Sequence, residues 1–182
     1  MEIIKTNIEG LLVIQPRVFA DARGFFFESY NEKMYRENGI DIRFCQDNQS
    51  KSGYGVIRGL HYQLNPHSQS KLVSVIRGAV WDVAVDLRKN SPTFGQWYGV
   101  ELTEDNHTQF LIPQGFAHGF SVLSEMAVFS YKCDDFYNPT LERGIMFNDP
   151  ALAIDWKIPA GKEIISYKDM KHPLFADAEM NF

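Results

Sequence analysis

From Ala79 to Leu87 the chain reads Ala-Val-Trp-Asp-Val-Ala-Val-Asp-Leu, an alternation with a period of two. Successive side chains of an extended strand point to opposite faces. Ala79, Trp81, Val83, Val85 and Leu87 therefore share one face, and Val80, Asp82, Ala84 and Asp86 the other. Short runs of β-branched and aromatic residues recur along the chain between turn signals: Leu11–Gln15, Phe25–Tyr30, Val56–Tyr62, Leu72–Ile76, Gln96–Leu102, Gln109–Ile112, Phe116–Val122 and Ala127–Lys132. Arg77-Gly78 between two such runs predicts a tight hairpin. One early helix is expected, capped by Asn31, with Glu32 in its first turn and Gly39 as its stop. A short helical turn is expected around Ser166-Tyr167-Lys168-Asp169. Many short strands with few helices predict an all-β fold, an antiparallel sandwich or jelly roll able to enclose a pocket.

The 182 residues suit one domain spanning 1–182, and 45% hydrophobic content with 14 Phe is enough for a sizeable core. A net charge of −5 argues against a nucleic-acid partner, because phosphate contacts need a basic excess or stripe. No apolar run approaches the ~18 residues that span a bilayer. The most apolar stretch, Gly78 to Val85, is interrupted by Asp82. Met1 to Asn7 shows no basic end followed by an apolar segment, so a cytoplasmic location is expected. Cys45 and Cys133 form no CxxC and read as buried free thiols.

Familiar cofactor motifs fail on inspection. Gly53-Tyr54-Gly55-Val56-Ile57-Arg58-Gly59 lacks the third glycine and the following helix of a dinucleotide fingerprint. Gly161-Lys162-Glu163 lacks the hydroxyl residue of a phosphate loop, and no GxSxG elbow occurs. Pro113-Gln114-Gly115-Phe116-Ala117-His118 matches the second half of a cupin signature, but His61 is followed by Tyr62 and Gln63 where the first half needs another histidine. A metal-dependent cupin oxygenase or isomerase built on His61, His118 and a distant carboxylate stays open as an alternative.

Arg58-Gly59-Leu60-His61-Tyr62-Gln63 places a cation and an imidazole close together in one strand. Lys71 opens the next strand, Tyr131 lies in Phe129-Ser130-Tyr131-Lys132, and Asp169 sits in the tail. Taken singly, Tyr131 reads as a core tyrosine, Lys71 and Asp169 as solvated charges, and His61 as structural. Strict alternation would also send Arg58 and His61 to opposite faces. A bulge at Gly59 would bring both inside, and that bulge is expected.

At these residues the sequence resembles the dTDP-4-dehydrorhamnose 3,5-epimerase family over nearly its whole length. The resemblance rests on Asp21-x-Arg23-Gly24-x-Phe26-x-Glu28, Gln46-Asp47-Asn48-Gln49-Ser50, Arg58 to Gln63 and Pro113-x-Gly115-Phe116-Ala117-His118-Gly119-Phe120. It continues through Tyr131-Lys132-Cys133-Asp134-Asp135, Asn148-Asp149-Pro150, Ile154-Asp155-Trp156 and Lys168-Asp169. It implies a cupin-type double-stranded β-helix that forms a homodimer, and a dTDP-4-keto-6-deoxy sugar substrate. It implies no metal and no organic cofactor.

By the same resemblance His61 is the general base, Asp169 its supporting carboxylate, Tyr131 the proton donor and Lys71 the cation beside the sugar's C4 oxygen. Arg23, Arg58 and Lys168 resemble diphosphate contacts. Glu28, Gln46, Asp47, Asn48 and Glu142 resemble polar positions around the nucleotide, Phe26 and Tyr137 the stacking rings, and His118 a binding residue near sugar or phosphate. The chemistry agrees with these roles. Hydrogens at C3 and C5 are acidic because both carbons flank the C4 ketone. An imidazole, with an intrinsic pKa of ~6.5, accepts such a proton near neutrality, and a phenol of pKa ~10 can return one to the opposite face. An epimerase of C3 alone or C5 alone would use the same residues. His67, His107 and His172 read as surface residues.

Overall fold

The computed structural model describes all 182 residues, Met1–Phe182. The chain runs β1 (Glu2–Lys5), β2 (Leu12–Gln15), β3 (Phe19–Asp21), β4 (Gly24–Phe26), α1 (Glu32–Glu37), β5 (Gln46–Gly53), β6 (Val56–Gln63) and β7 (Lys71–Arg77). It continues through β8 (Ala79–Asp86), β9 (Trp97–Thr103), β10 (Gln109–Ile112), β11 (Phe116–Val122), β12 (Met126–Cys133), β13 (Glu142–Gly144) and β14 (Ile164–Ile165). One sheet has the order β1-β2-β10-β7-β12-β5 and the second β13-β6-β11-β8-β9, while β3 and β4 form a separate hairpin. Every pairing is antiparallel except that of β14 with β6. Two facing sheets with these crossovers are the double-stranded β-helix, or jelly roll.

The alternation in β8 decides how the layers stack. Val80 and Ala84 point between the sheets, where they pack with Val73, Phe110, Phe120 and Phe129. Val83, Val85 and Leu87 point the other way and are equally buried, because the C-terminal segment lays Leu152, Trp156 and Met180 over that face. Both faces of the second sheet are thus dry, which is why β8 is apolar on nearly every position. Outside the first sheet, α1 and its flanks cover Ile14, Leu72 and Leu111 with Tyr35 and Ile40. The helix starts as expected, with the Asn31 side chain accepting a hydrogen bond from the Met34 amide.

Three expectations need correction, and one strand was not foreseen. Arg77-Gly78 does not close a hairpin: β7 belongs to the first sheet and β8 to the second, so Gly78, at φ +81°, turns the chain from one layer to the other. The strand expected over Phe25–Tyr30 stops at Phe26, since its only partner is the three-residue β3. Cys45 is exposed while Cys133 is buried. Cys45 leads into β5, whose odd-numbered side chains face outward and whose even-numbered ones face inward. Finally β5 itself, Gln-Asp-Asn-Gln-Ser-Lys-Ser-Gly, has no apolar alternation to reveal it. Its inner row borders a hollow rather than packed core, so polar side chains suffice there. No helix is long and apolar enough to cross a membrane.

Candidate active site

The expected bulge is present. His118 of β11 pairs with His61 of β6 and Phe120 with Arg58, so two steps along β11 oppose three along β6. Gly59 absorbs the extra residue at φ +130°. A Cβ there would lie 2.5 Å from the Gly119 Cα and 2.9 Å from the His118 carbonyl oxygen, so only glycine lets the strands approach. Arg58 and His61 consequently border the same hollow of about 250 Å³, with Lys71, His118 and Tyr131. Ile57, Leu60 and Tyr62 take the opposite face and anchor the strand in the outer core.

A second lobe of about 280 Å³ shares His61, Lys71, Tyr131 and Asn48 and opens toward Gln46, Tyr137 and Glu142. Its walls come from both layers. His61 sits on β6 and Glu142 on β13 of the second sheet, while Gln46 and Asn48 on β5, Lys71 on β7 and Tyr131 on β12 belong to the first.

His61 is paired. Its Nε2 lies 2.8 Å from Oδ1 of Asp169, which the tail brings in on a short 3-10 turn, Asp169–Lys171. With an N–H at Nε2 donated to the carboxylate, the ring's lone pair is at Nδ1. Burial alone would raise the Asp169 pKa. The hydrogen bond and charge of His61, the Gly59 amide and nearby His172 outweigh it and hold the carboxyl below its ordinary value. Asp169 is therefore an anion at neutral pH, suited to stabilise an imidazolium.

Tyr131 and Lys71 respond to burial in opposite ways. Desolvation pushes the Tyr131 phenol above the usual tyrosine value, so it holds its proton at neutral pH. The Lys71 ammonium is pushed below the usual lysine value by desolvation, with Cys133, Asp82 and Glu142 pulling it back. His118 directs its Nε2 at both oxygens of Asp82, 3.0 Å from each, in a buried pair. Desolvation lowers the His118 pKa and raises that of Asp82, each opposed by the partner's charge. His118 thus borders the hollow beside Lys71 with its Nε2 tied to Asp82. The His61–His118 combination of a metal cupin does not converge, and the ligand-capable atoms within 4.8 Å of one another are those of His61, Asp169 and His172.

At the mouth, Gln46 donates from Nε2 to Asn48 and accepts from the Tyr137 amide. Glu142 accepts from the Tyr137 hydroxyl at 2.9 Å and pairs with Lys168. Burial tends to raise the Glu142 pKa, but those two partners bring it below its ordinary value. Arg58 is exposed and donates from Nε to Ser52 at 3.0 Å.

Four expected residues stand apart from this group. Asp47, an odd-numbered member of β5, faces outward and pairs with Lys132 at 2.9 Å. Arg23 is almost fully exposed and forks onto Asp21, Phe26 is 66% exposed on the β3–β4 hairpin, and Glu28 accepts from Asn31. The sequence reading missed His172, expected at the surface. Its side chain is only 12% exposed, and its Nε2 lies 3.5 Å from Asp169 Oδ1. The available signal was spacing: residues three apart on a 3-10 turn stand one above the other.

The sequence model of the dTDP-4-dehydrorhamnose 3,5-epimerase family matches residues 5–177. The dTDP-4-dehydrorhamnose 3,5-epimerase of Shigella flexneri is 51% identical over 180 residues, covering 98% of each chain. The crystal structure of the Elizabethkingia anophelis enzyme of that name superposes with a TM-score of 0.92 at 56% identity, over 97% of each chain. A Legionella pneumophila dTDP-6-deoxy-D-glucose-3,5-epimerase, solved in complex with dTDP-4-keto-L-rhamnose, does so with a TM-score of 0.91 at 54% identity, over 95% of this chain and 92% of that one. With a jelly roll that brings a His–Asp pair, a half-buried phenol and a lysine to one cavity, the chain belongs to the dTDP-4-dehydrorhamnose 3,5-epimerase family.

Proposed function

We propose that the chain converts dTDP-4-dehydro-6-deoxy-D-glucose to dTDP-4-dehydro-L-rhamnose by inverting C3 and C5, without a metal or organic cofactor. The observation that carries this reading is that an imidazole backed by a buried carboxylate and a protonated phenol border one cavity from opposite sheets. His61 Nδ1 takes the proton from the carbon next to the ketone, and Asp169 stabilises the resulting imidazolium. Lys71 stabilises the charge that develops on the C4 oxygen, where a preorganised donor is worth roughly 3 kcal/mol. Tyr131 then protonates the other face of the same carbon. Were the base to return its own proton, the configuration would not change.

Arg58 and Lys168 supply cations for the diphosphate, a local answer to a net charge of −5. Gln46, Asn48 and Glu142 hold the nucleotide's polar groups, and Tyr137, 54% exposed at the mouth, offers a ring for the base to stack on. His118 borders the sugar end. We further infer a homodimer in which the β3–β4 hairpin enters the partner's cavity. Phe19, Phe25 and Phe26 are 52%, 60% and 66% exposed on that hairpin, and this supports the inference. Arg23, Phe26 and Glu28 then act on the nucleotide in trans, and Asp47 stays on the outer face with Lys132. A cytoplasmic location fits an enzyme of nucleotide-sugar synthesis.

Incubation with the 4-keto-6-deoxyglucose nucleotide in heavy water tests the reading. Deuterium at both C3 and C5 is expected. Label at one carbon assigns a 3-only or 5-only epimerase, and no label removes the epimerase reading. The homodimer is checked by light scattering of the wild type beside a variant carrying Phe25→Ser and Phe26→Ser.

A further inference from the structure

The short turn that delivers Asp169 also delivers His172, and this second histidine has no place in the proton transfers just described. Its Nε2 is shut off from solvent, and its nearest recorded acceptor, Asp169 Oδ1 at 3.5 Å, is too far and too poorly aligned for a good hydrogen bond. A buried ring nitrogen left without a partner costs free energy, so such an atom calls for a ligand. It points at the His61–Asp169 pair: Nε2 is 3.5 Å from Asp169 Oδ1, which in turn is 2.8 Å from His61 Nε2, and the His61 and His172 rings meet edge to face at 5.5 Å.

We propose that His61 Nε2, Asp169 Oδ1 and His172 Nε2 form a three-ligand site for one zinc ion, and that filling it switches the catalytic base off. The switching half rests on the reading of His61 as base; the binding half does not. Tetrahedral zinc holds nitrogen and oxygen ligands at ~2.0–2.2 Å, which puts neighbouring ligand atoms about 3.3 Å apart. The three atoms here all lie within 4.8 Å of one another, two pairs at 2.8 and 3.5 Å, so they converge on one point. Of the three side chains, that of His61 is the most open, at 30% exposed, so an ion would enter past its ring.

The surroundings are built to hold these groups still. The His172 ring lies flush on β13, where a Cβ on Gly144 would overlap it. Asp169 Oδ2 accepts from the Gly59 amide, and the Asp169 amide donates to Ser166 Oγ at 3.1 Å. Such contacts fix the orientation of a ligating carboxylate. The ammonium of neighbouring Lys168 is already paired with Glu142.

The switch follows from the imidazole's proton count. A neutral ring carries one N–H. In the metal-free site that proton is on Nε2, donated to Asp169, and Nδ1 is free to accept. When zinc binds Nε2 through its lone pair, the proton moves to Nδ1 and no electrons are gained or lost. A ring with its proton on Nδ1 has nothing with which to accept one from carbon. Zinc therefore inhibits, the reverse of its effect in a metal-dependent cupin.

The test uses untagged full-length protein stripped with a chelator. Calorimetry with zinc chloride is expected to give one ion per chain, cobalt(II) to give the visible absorption of a four-coordinate site, and turnover to fall with occupancy and return on adding EDTA. In His172→Gln, zinc affinity and inhibition, each measured against the variant's own metal-free rate, are expected to weaken at least ~10-fold. Should that variant not fold, His172→Asn replaces it, and the cobalt spectrum of the wild type stands independently. No stoichiometric uptake, or undiminished affinity without His172, overturns the site. Stoichiometric uptake with full turnover overturns instead the switch and the reading of His61 as base.

Discussion

His61 and Tyr131 border one cavity from opposite layers of the jelly roll, His61 from β6 and Tyr131 from β12. Inversion at a carbon needs a proton acceptor on one side and a donor on the other, and an imidazole and a phenol carried on two facing sheets fit the roles proposed for them.

Tyr131→Phe should separate the two half-reactions. His61 still removes protons, so the substrate continues to exchange with heavy water, while epimerised product falls ~10²-fold or more. Proton NMR of the sugar measures both in one sample. Equal loss of exchange and epimerisation would give Tyr131 a different task.

Asp169→Asn removes the anion beside His61, and turnover is expected to drop by at least ~10² with binding of the dTDP product little changed. The carboxyl's folded pKa lies below its ordinary value. Its contribution to stability is therefore complete above the unfolded pKa and fades as pH falls through the folded one. Acid denaturation followed by circular dichroism should accordingly be less steep in this variant.

Lys71→Met tests electrostatic stabilisation of the enolate. The expected loss in kcat is ~10²–10³-fold. The folded pKa of Lys71 is depressed, chiefly by desolvation, so the unfolded chain binds this proton more tightly. The wild type therefore gains stability as pH rises from the folded pKa to the ordinary lysine value of ~10.4. An apolar methionine escapes that cost, and the variant's melting temperature at pH 7 should not fall.

Asp86 is a purely structural carboxylate. It accepts from Arg88, Ser91 and Thr93, and these bonds outweigh burial and bring its pKa to about 2. That contributes about 2 kcal/mol, present above the unfolded value near 4 and lost as pH falls toward the folded one. Asp86→Asn should destabilise by about that amount in urea melts at pH 7 and scarcely at all near pH 2, with the active site intact.

Gly59→Ala meets the backbone of Gly119 and the His118 carbonyl, at a backbone angle that side chains rarely adopt. A loss of roughly 1–3 kcal/mol is expected. Turnover should fall further than stability, because the bulge sets where Arg58 and His61 emerge. An alanine variant with wild-type kcat would show that the bulge does not position the base.

The sequence by itself determined the strands whose residues alternate, the capped helix and the bulge. Each is written in neighbouring residues: period two in β8, Asn31 before α1, a glycine between Arg58 and His61. Tertiary structure alone decided the rest. β5 is polar because it borders a hollow, which no local pattern announces. The sheet change at Gly78 depends on which strands β7 and β8 find as partners, not on the turn between them. His172 looked like a surface histidine until the tail folded Asp169 onto His61, more than a hundred residues away in the chain. Local chemistry follows from the order of residues, but burial and distance between remote groups arise only when the layers close on each other.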